Sequence, residues 1–316
     1  MKLKNLFDKT ILILSVSIAF YLTIILMSDF SKLEKIQLEL NYLPLIVSLL
    51  VLHVILAGFK YHRMLKKLNI KIPFIDTQKI YLAGFALALT PGGFGTAAIK
   101  SRLLKKKFGS SISSTILVLY VERWTELIAI LIVLSFLLFF AFAFESLIIL
   151  IVGSFVAVVF SIVITNTMTF NSIKKIFLKI KYFKKINSNI EDSRQSFVIL
   201  SKKSTFLEAL FYSVIIRIIR LFAVYFIFLM MGIDLGFFES GIIYYTSILA
   251  GNLSLIPAGI IVTESGMIAM LLKYNIEFSV ATLAVVIIRF LVTWSLAIVG
   301  TIGYQIVVRE QVNFKD

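Results

Sequence analysis

The 316-residue chain is 59% hydrophobic and only 16% charged, with a mean hydropathy of +0.99. Soluble domains run about 45–50% apolar and about 25% charged, and one soluble core of this size could not hide the surplus. Composition therefore excludes an ordinary soluble protein and leaves a polytopic, all-α integral membrane protein. The net charge of +15 (32 Lys+Arg against 17 Asp+Glu) fits basic loops on the cytoplasmic side of a membrane better than a nucleic-acid surface. No cysteine is present, which excludes disulfides, thiolate zinc and iron–sulfur sites. With His53 and His62 as the two histidines, neither a metal nor another cofactor is expected.

The first apolar run, Ile11 to Met27, follows Lys2, Lys4 and Lys9. It is long for a signal-peptide core and lacks an A-x-A-like cleavage site, so it reads as a retained helix. A second run covers Tyr42 to Phe59, and a basic loop follows from Lys60 to Lys71. The next piece, Ile80 to Thr90, is too short to span; it meets Pro91-Gly92-Gly93-Phe94-Gly95, and a second short piece ends at Leu104 before Lys105-Lys106-Lys107. Ile112 to Phe144 is one long run holding Glu122, Arg123 and Glu126. Leu147 to Thr165 is a further span. The polar stretch Asn166 to Thr205 follows, where Ile173, Phe177, Ile180 and Phe183 have the spacing of a surface amphipathic helix. Phe206 to Met231 spans with Arg217 and Arg220 inside it. Gly241 to Leu255 is short, ends near Pro257-Ala258-Gly259, and is followed by a second short piece, Ile260 to Leu272. Phe278 to Val308, holding Arg289, closes the layout.

With the N-terminus inside, segments 1–10, 60–79, 100–107, 166–205 and 308–316 carry 25 of the 32 basic residues, and the outer segments carry Lys32, Lys35 and Lys273. That asymmetry obeys the positive-inside rule only if each paired short piece returns to the side it entered from. The expected fold is therefore six spans plus two re-entrant hairpins. Sliding the chain on itself by 166 positions brings Pro91 onto Pro257, Gly93 onto Gly259, Lys107 onto Lys273, Ser113 onto Ser279, Leu117 onto Leu283 and Arg123 onto Arg289. The hairpins fall on opposite faces, so the reading is an inverted repeat. A single transmembrane domain, 1–316, holds repeat 1 over about 42–144, the basic loop 166–205 and repeat 2 over about 206–308.

Hairpin turns at Pro91, Gly92, Gly93 and Gly95, and at Pro257 and Gly259, leave unpaired backbone at membrane depth, which survives only in protein or a wet cavity. The helix after each turn points N–H groups and a positive dipole end there, which suits a phosphate. Arginine inside a span costs about 2.5–3.5 kcal/mol on insertion scales and points to function. Arg123 and Arg289 are accordingly candidate phosphate contacts. Alternatively Arg123 pairs with Glu126 or Glu122 along its helix, and Arg289 with Glu264 across the hairpin. Lys100, Arg217 and Arg220 complete the candidate cations. Arg102 reads as a snorkelling residue and His53 as a hydrogen-bonded helix residue. No G-x-S-x-G, H-E-x-x-H, G-x-x-x-x-G-K-[ST] or G-x-G-x-x-G motif occurs, so no enzyme activity is expected.

Thr90-Pro91-Gly92-Gly93-Phe94-Gly95, with Lys100 and Leu103-Leu104-Lys105-Lys106 after it, resembles the first signature of the lysylphosphatidylglycerol synthase transmembrane-region family. Glu122-Arg123 with Glu126 resembles its E-R-x-x-D signature, and Pro257-Ala258-Gly259 with Glu264 its second turn, followed by an arginine as at Arg289. The resemblance covers about 80–300. It implies a flippase-like lipid translocator in the plasma membrane of a prokaryote. Its best-known member, the multiple peptide resistance factor, also carries a soluble aminoacyl-transferase domain, which has no counterpart here, so lysine transfer is not expected. Archaeal members fused to glycosyltransferases handle isoprenoid-linked sugars. This chain has Thr96-Ala97-Ala98 where many relatives have an acid, and Ala258 and Ile261 where glycine is usual. The leading expectation is movement of an anionic phospholipid or isoprenoid-phosphate-linked precursor between leaflets. The alternatives are a non-catalytic subunit presenting lipid to an enzyme partner, or a small-solute transporter; a homo-oligomer is compatible with each.

Overall fold

The computed structural model describes residues 37–88, 90, 94–141, 147–165, 199–200, 202–254 and 256–313, with residue 23 by itself. The expected first helix (11–27), the turn residues Pro91, Gly92 and Gly93, and the amphipathic stretch around Ile173–Phe183 lie outside them. Among the described residues the protein is helical throughout, without strands. The helices are α1 Leu43–Lys67, α2 Phe74–Gly84, α3 Phe94–Phe108, α4 Ile112–Ala141, α5 Leu147–Thr165, α6 Lys203–Met230, α7 Phe237–Leu253, α8 Val262–Lys273, α9 Phe278–Arg289 and α10 Ser295–Asn313, the last two joined through a π-helical turn, Phe290–Trp294. Among the described residues, four segments are long and apolar enough to cross a membrane: Leu40–Lys67, Ser114–Ala141, Lys203–Met230 and Phe278–Arg309. Their outer faces expose large apolar side chains such as Val51, Ile55, Phe139, Phe211, Ile298 and Ile302. Water would not tolerate so broad an apolar surface.

One expected boundary is wrong. The basic loop predicted from Lys60 does not begin there, because α1 runs on to Lys67. Ala57, Tyr61, Met64 and Leu65 continue its buried stripe at helical spacing, and that packing outweighs the local run of charge. The helix stops where Asn69 takes a left-handed conformation (φ 57°) and Ile70 N–H reaches back to Leu65 O.

α2 and α3 fold against each other as an antiparallel hairpin. A Cβ on Gly95 would crowd Leu87 and Thr90, and one on Gly84 would crowd Thr96 and Lys100. Thr90 Oγ1 accepts from Gly95 N–H at 2.8 Å and so caps the start of α3. α7 and α8 form the second hairpin, with Gly251 against Gly259 and Ser247 beside Gly266. None of these four arms has the roughly 20 residues that cross a bilayer. The halves also correspond in order and neighbours. Shifted by 166 positions, Ile112, where α4 starts, falls on Phe278, where α9 starts. α2 packs on α10 as α7 packs on α4, and α1 meets α2 as α6 meets α7. One apolar core surrounds the first hairpin (Tyr61, Ile80, Leu87, Ile99, Leu104), and a second surrounds the other (Leu134, Phe228, Ile243, Met267, Ile288). The central pair, α1 and α6, runs antiparallel between them.

Candidate functional site

Where α4 and α6 pass from one core to the other, the side chains turn polar. α4 presents Glu122, Thr125 and Glu126, spaced for one helical face. α6 presents Ser213, Arg217 and Arg220, α1 presents His53 and Lys60, and α3 presents Lys100. Glu126 Oε1 lies 3.5 Å from Lys60 Nζ, and its Oε2 lies 3.1 Å from Arg123 Nη1 and 3.3 Å from Arg217 Nη2. Lys60 also donates to Ser213 Oγ at 3.2 Å, and Ser213 to Thr125 Oγ1 at 3.2 Å. Glu122 pairs at 3.4 Å with Lys100, whose ammonium lies 3.7 Å from the centre of the Tyr81 ring and 4.6 Å from that of Tyr61. Those rings give the cation a quadrupolar wall that an aliphatic core would not. Gly84 leaves room for the lysine stem.

Four cations thus meet two carboxylates. Three of the four are buried, with Lys60 only 1% exposed, while Arg123 is 49% exposed and opens the cluster outward. A fifth cation adjoins them. Arg220 Nη2 donates to His53 Nε2, and since guanidinium has no acceptor, His53 must offer a bare nitrogen. Arg217 Nε is buried without a hydrogen-bond partner among the described residues. Each uncompensated buried charge costs several kcal/mol, and among the described residues the buried cations Lys60, Lys100 and Arg217 outnumber the two carboxylates, Glu122 and Glu126.

The second hairpin is built differently. Glu264 is fully buried in the first turn of α8, where a carboxylate suits the helix dipole. Arg289 Nε donates to it at 2.6 Å, and Arg289 Nη2 donates to Ala258 O at 2.9 Å. One guanidinium therefore ties the turn, the start of α8 and the end of α9 together, one residue before the π-helical turn. Glu264 already fills the anion slot that the sequence left open for phosphate. In the first hairpin the position matching Glu264 is Ala98, and no carboxylate of its own compensates Lys100; the chain borrows Glu122 from α4. The two arginines that match in sequence consequently have different roles: Arg289 is locked in a buried pair, Arg123 rims a cationic cluster.

The turn itself carries strain. Ala258 (φ 53°) and Ile261 (φ 74°) occupy the positive-φ region, which costs a residue with a Cβ roughly 1–2 kcal/mol. Glycine, which the family resemblance leads one to expect at both positions, would adopt these conformations without that cost. Ala258→Gly is expected to raise stability by about 1 kcal/mol, read as an increase in thermal unfolding temperature in a fixed detergent. No gain would mean that the backbone there is unstrained.

Sequence reasoning found Glu122, Glu126, Arg123, Lys100, Arg217 and Arg220, and the structure brings these together. It placed Arg289 with Glu264 and His53 in a hydrogen bond, as observed. It missed Lys60, Ser213, Thr125 and the tyrosines around Lys100. Lys60 had a signal: His53, Lys60 and Lys67 recur every seven residues, one stripe of a continuous helix. The tyrosines had none, because aromatic residues are spread through every span.

Comparison with known proteins places this arrangement in a family. A UPF0104 membrane protein of Pyrococcus horikoshii is 22% identical over 93% of this chain and 96% of its own length. No solved structure matches. The sequence pattern described as the lysylphosphatidylglycerol synthase TM region matches residues 12–300, which takes in both hairpins and every charged residue of the cluster. The chain belongs to that family.

Proposed function

We propose that this protein moves an anionic lipid between leaflets without chemical transformation, holding its phosphate in the cluster of Lys60, Lys100, Arg123 and Arg217. The surplus of buried cations over carboxylates carries this reading. A phosphate matches the cluster in sign, and guanidinium forks bind its oxygens in pairs. Arg123 lies at the exposed rim of the cluster, while acyl or prenyl tails remain against the exposed apolar faces of the helices. The phosphate belongs to an anionic phospholipid or an isoprenoid-linked precursor. Nothing in the sequence has the form of a nucleotide-binding loop, so movement is downhill or ion-coupled.

The two hairpins are re-entrant and the halves form an inverted repeat, in the plasma membrane with the N-terminus inside. Support comes from the short hairpin arms, the matching element starts and the corresponding packing partners. The two turns differ because only the first half keeps its cations undercompensated.

Gently purified protein is expected to retain a phosphate-bearing lipid in native mass spectrometry, with less retained by Arg217→Gln. Recovery of zwitterionic lipid alone, equally in both proteins, would refute the binding site.

A further inference from the structure

A polar seam leads from the cluster to the basic end of the α1–α6 pair. On α1, Lys60, Arg63, Met64 and Lys67 share one face; on α6, Thr205, Glu208, Ala209 and Tyr212 share the facing one, each set at helical i, i+3, i+4, i+7 spacing. They line a narrow crevice. Glu208 Oε1 accepts from Arg63 Nε at 2.6 Å, and its Oε2 lies 3.3 Å from Lys67 Nζ. Buried Lys60 closes the inner end and hands on to Glu126 and Ser213. Farther along, His53 meets Arg220. From Lys67 to His53 the seam is about 21 Å long at 1.5 Å per residue, most of the hydrocarbon thickness of about 30 Å. Free volume in the crevice is only about 10 Å³, room for roughly one water.

We infer that Arg63 and Lys67 form a receiving site for a phosphate group at the mouth of this seam, and that Glu208 fills it as an internal stand-in. The inference rests on the lipid-moving reading. A guanidinium and an ammonium converging on two carboxylate oxygens offer the donor geometry a phosphate oxygen pair takes. The carboxylate spans both cations and keeps the crevice shut. An incoming phosphate displaces Glu208, keeps the two cations paired, and then meets Lys60 one to two helical turns deeper. Because Arg63 and Lys67 remain partly exposed, the exchange desolvates little charge at the mouth, and desolvation falls on the inner cations, which Glu126 already steadies.

The test is calorimetric titration of the full-length protein with dihexanoyl phosphatidylglycerol, dihexanoyl phosphatidylcholine and inorganic phosphate. Glu208→Gln removes the stand-in and is expected to bind phosphatidylglycerol about tenfold more tightly than wild type, about 1.4 kcal/mol, with phosphatidylcholine unchanged. Adding Arg63→Gln and Lys67→Gln to Glu208→Gln should abolish the gain. An equal gain with inorganic phosphate identifies the phosphate group alone as the ligand; a gain confined to phosphatidylglycerol identifies a lipid headgroup. Wild-type affinity for both in a Glu208→Gln protein with an unchanged melting temperature overturns the inference. Should Glu208→Gln not fold, the Arg63→Gln/Lys67→Gln protein decides: its affinity must fall, and an unchanged affinity overturns the site. Leaflet exchange measured on the same samples separates the two readings. A tenfold binding gain without protein-dependent exchange in any sample would leave the receiving site standing and remove lipid movement.

Discussion

Glu264→Gln and Arg289→Gln are each expected to cost about 3–5 kcal/mol of stability, and the double variant distinctly less than the two added together. Either single change strands one charge in a site where Glu264 is fully buried and Arg289 is 5% exposed. Losing Arg289 also strands the Ala258 carbonyl in a strained turn. Removing both charges leaves a neutral, smaller defect. Thermal unfolding of the four proteins in one detergent measures the coupling. Costs that simply add would mean the pair contributes nothing as a pair.

Glu126→Gln is the second large expectation. Glu126 is the shared acceptor of Lys60, Arg123 and Arg217, so neutralising it leaves those cations against the remaining carboxylate, Glu122. A loss of about 3–5 kcal/mol is expected in zwitterionic detergent. Added anionic lipid should restore much of it, because a ligand at 100 times its dissociation constant returns about 2.7 kcal/mol. Restoration must be selective, with phosphatidylglycerol effective and phosphatidylcholine not. Equal rescue by both lipids would show that the cluster has no use for an anion.

The sequence made the fold class and most of the span positions legible, because apolar runs of membrane length rarely fit inside a soluble core. The paired short pieces at the Pro/Gly turns were legible through length, because each apolar run there is too short to span before the chain breaks. What stayed hidden depended on packing. Lys60 counts as a loop charge in a linear reading, and the surroundings of Lys100 leave no trace there, yet α1 and α3 carry both inward, to Glu126 and to Glu122 between two tyrosine rings. Pairing of Glu122 with Lys100 could not be read from one helix, since it depends on how α3 packs against α4. Arg289 with Glu264 was legible because no acid lies within helical i,i+3 or i,i+4 reach of Arg289, which leaves the carboxylate across the hairpin as its candidate. Its second bond, to the Ala258 carbonyl, depends on a left-handed alanine that local propensity argues against.

Leaflet exchange of fluorescent lipids in proteoliposomes tests most directly whether the buried cations serve to carry a phosphate. Wild-type protein is expected to accelerate exchange of phosphatidylglycerol or an isoprenoid phosphate over phosphatidylcholine. Lys60→Gln/Arg217→Gln should lose that acceleration by about tenfold or more, the equivalent of one charged hydrogen bond, about 1.5–3 kcal/mol. Wild-type exchange equal to that of protein-free vesicles, for every anionic and isoprenoid lipid offered, would contradict it.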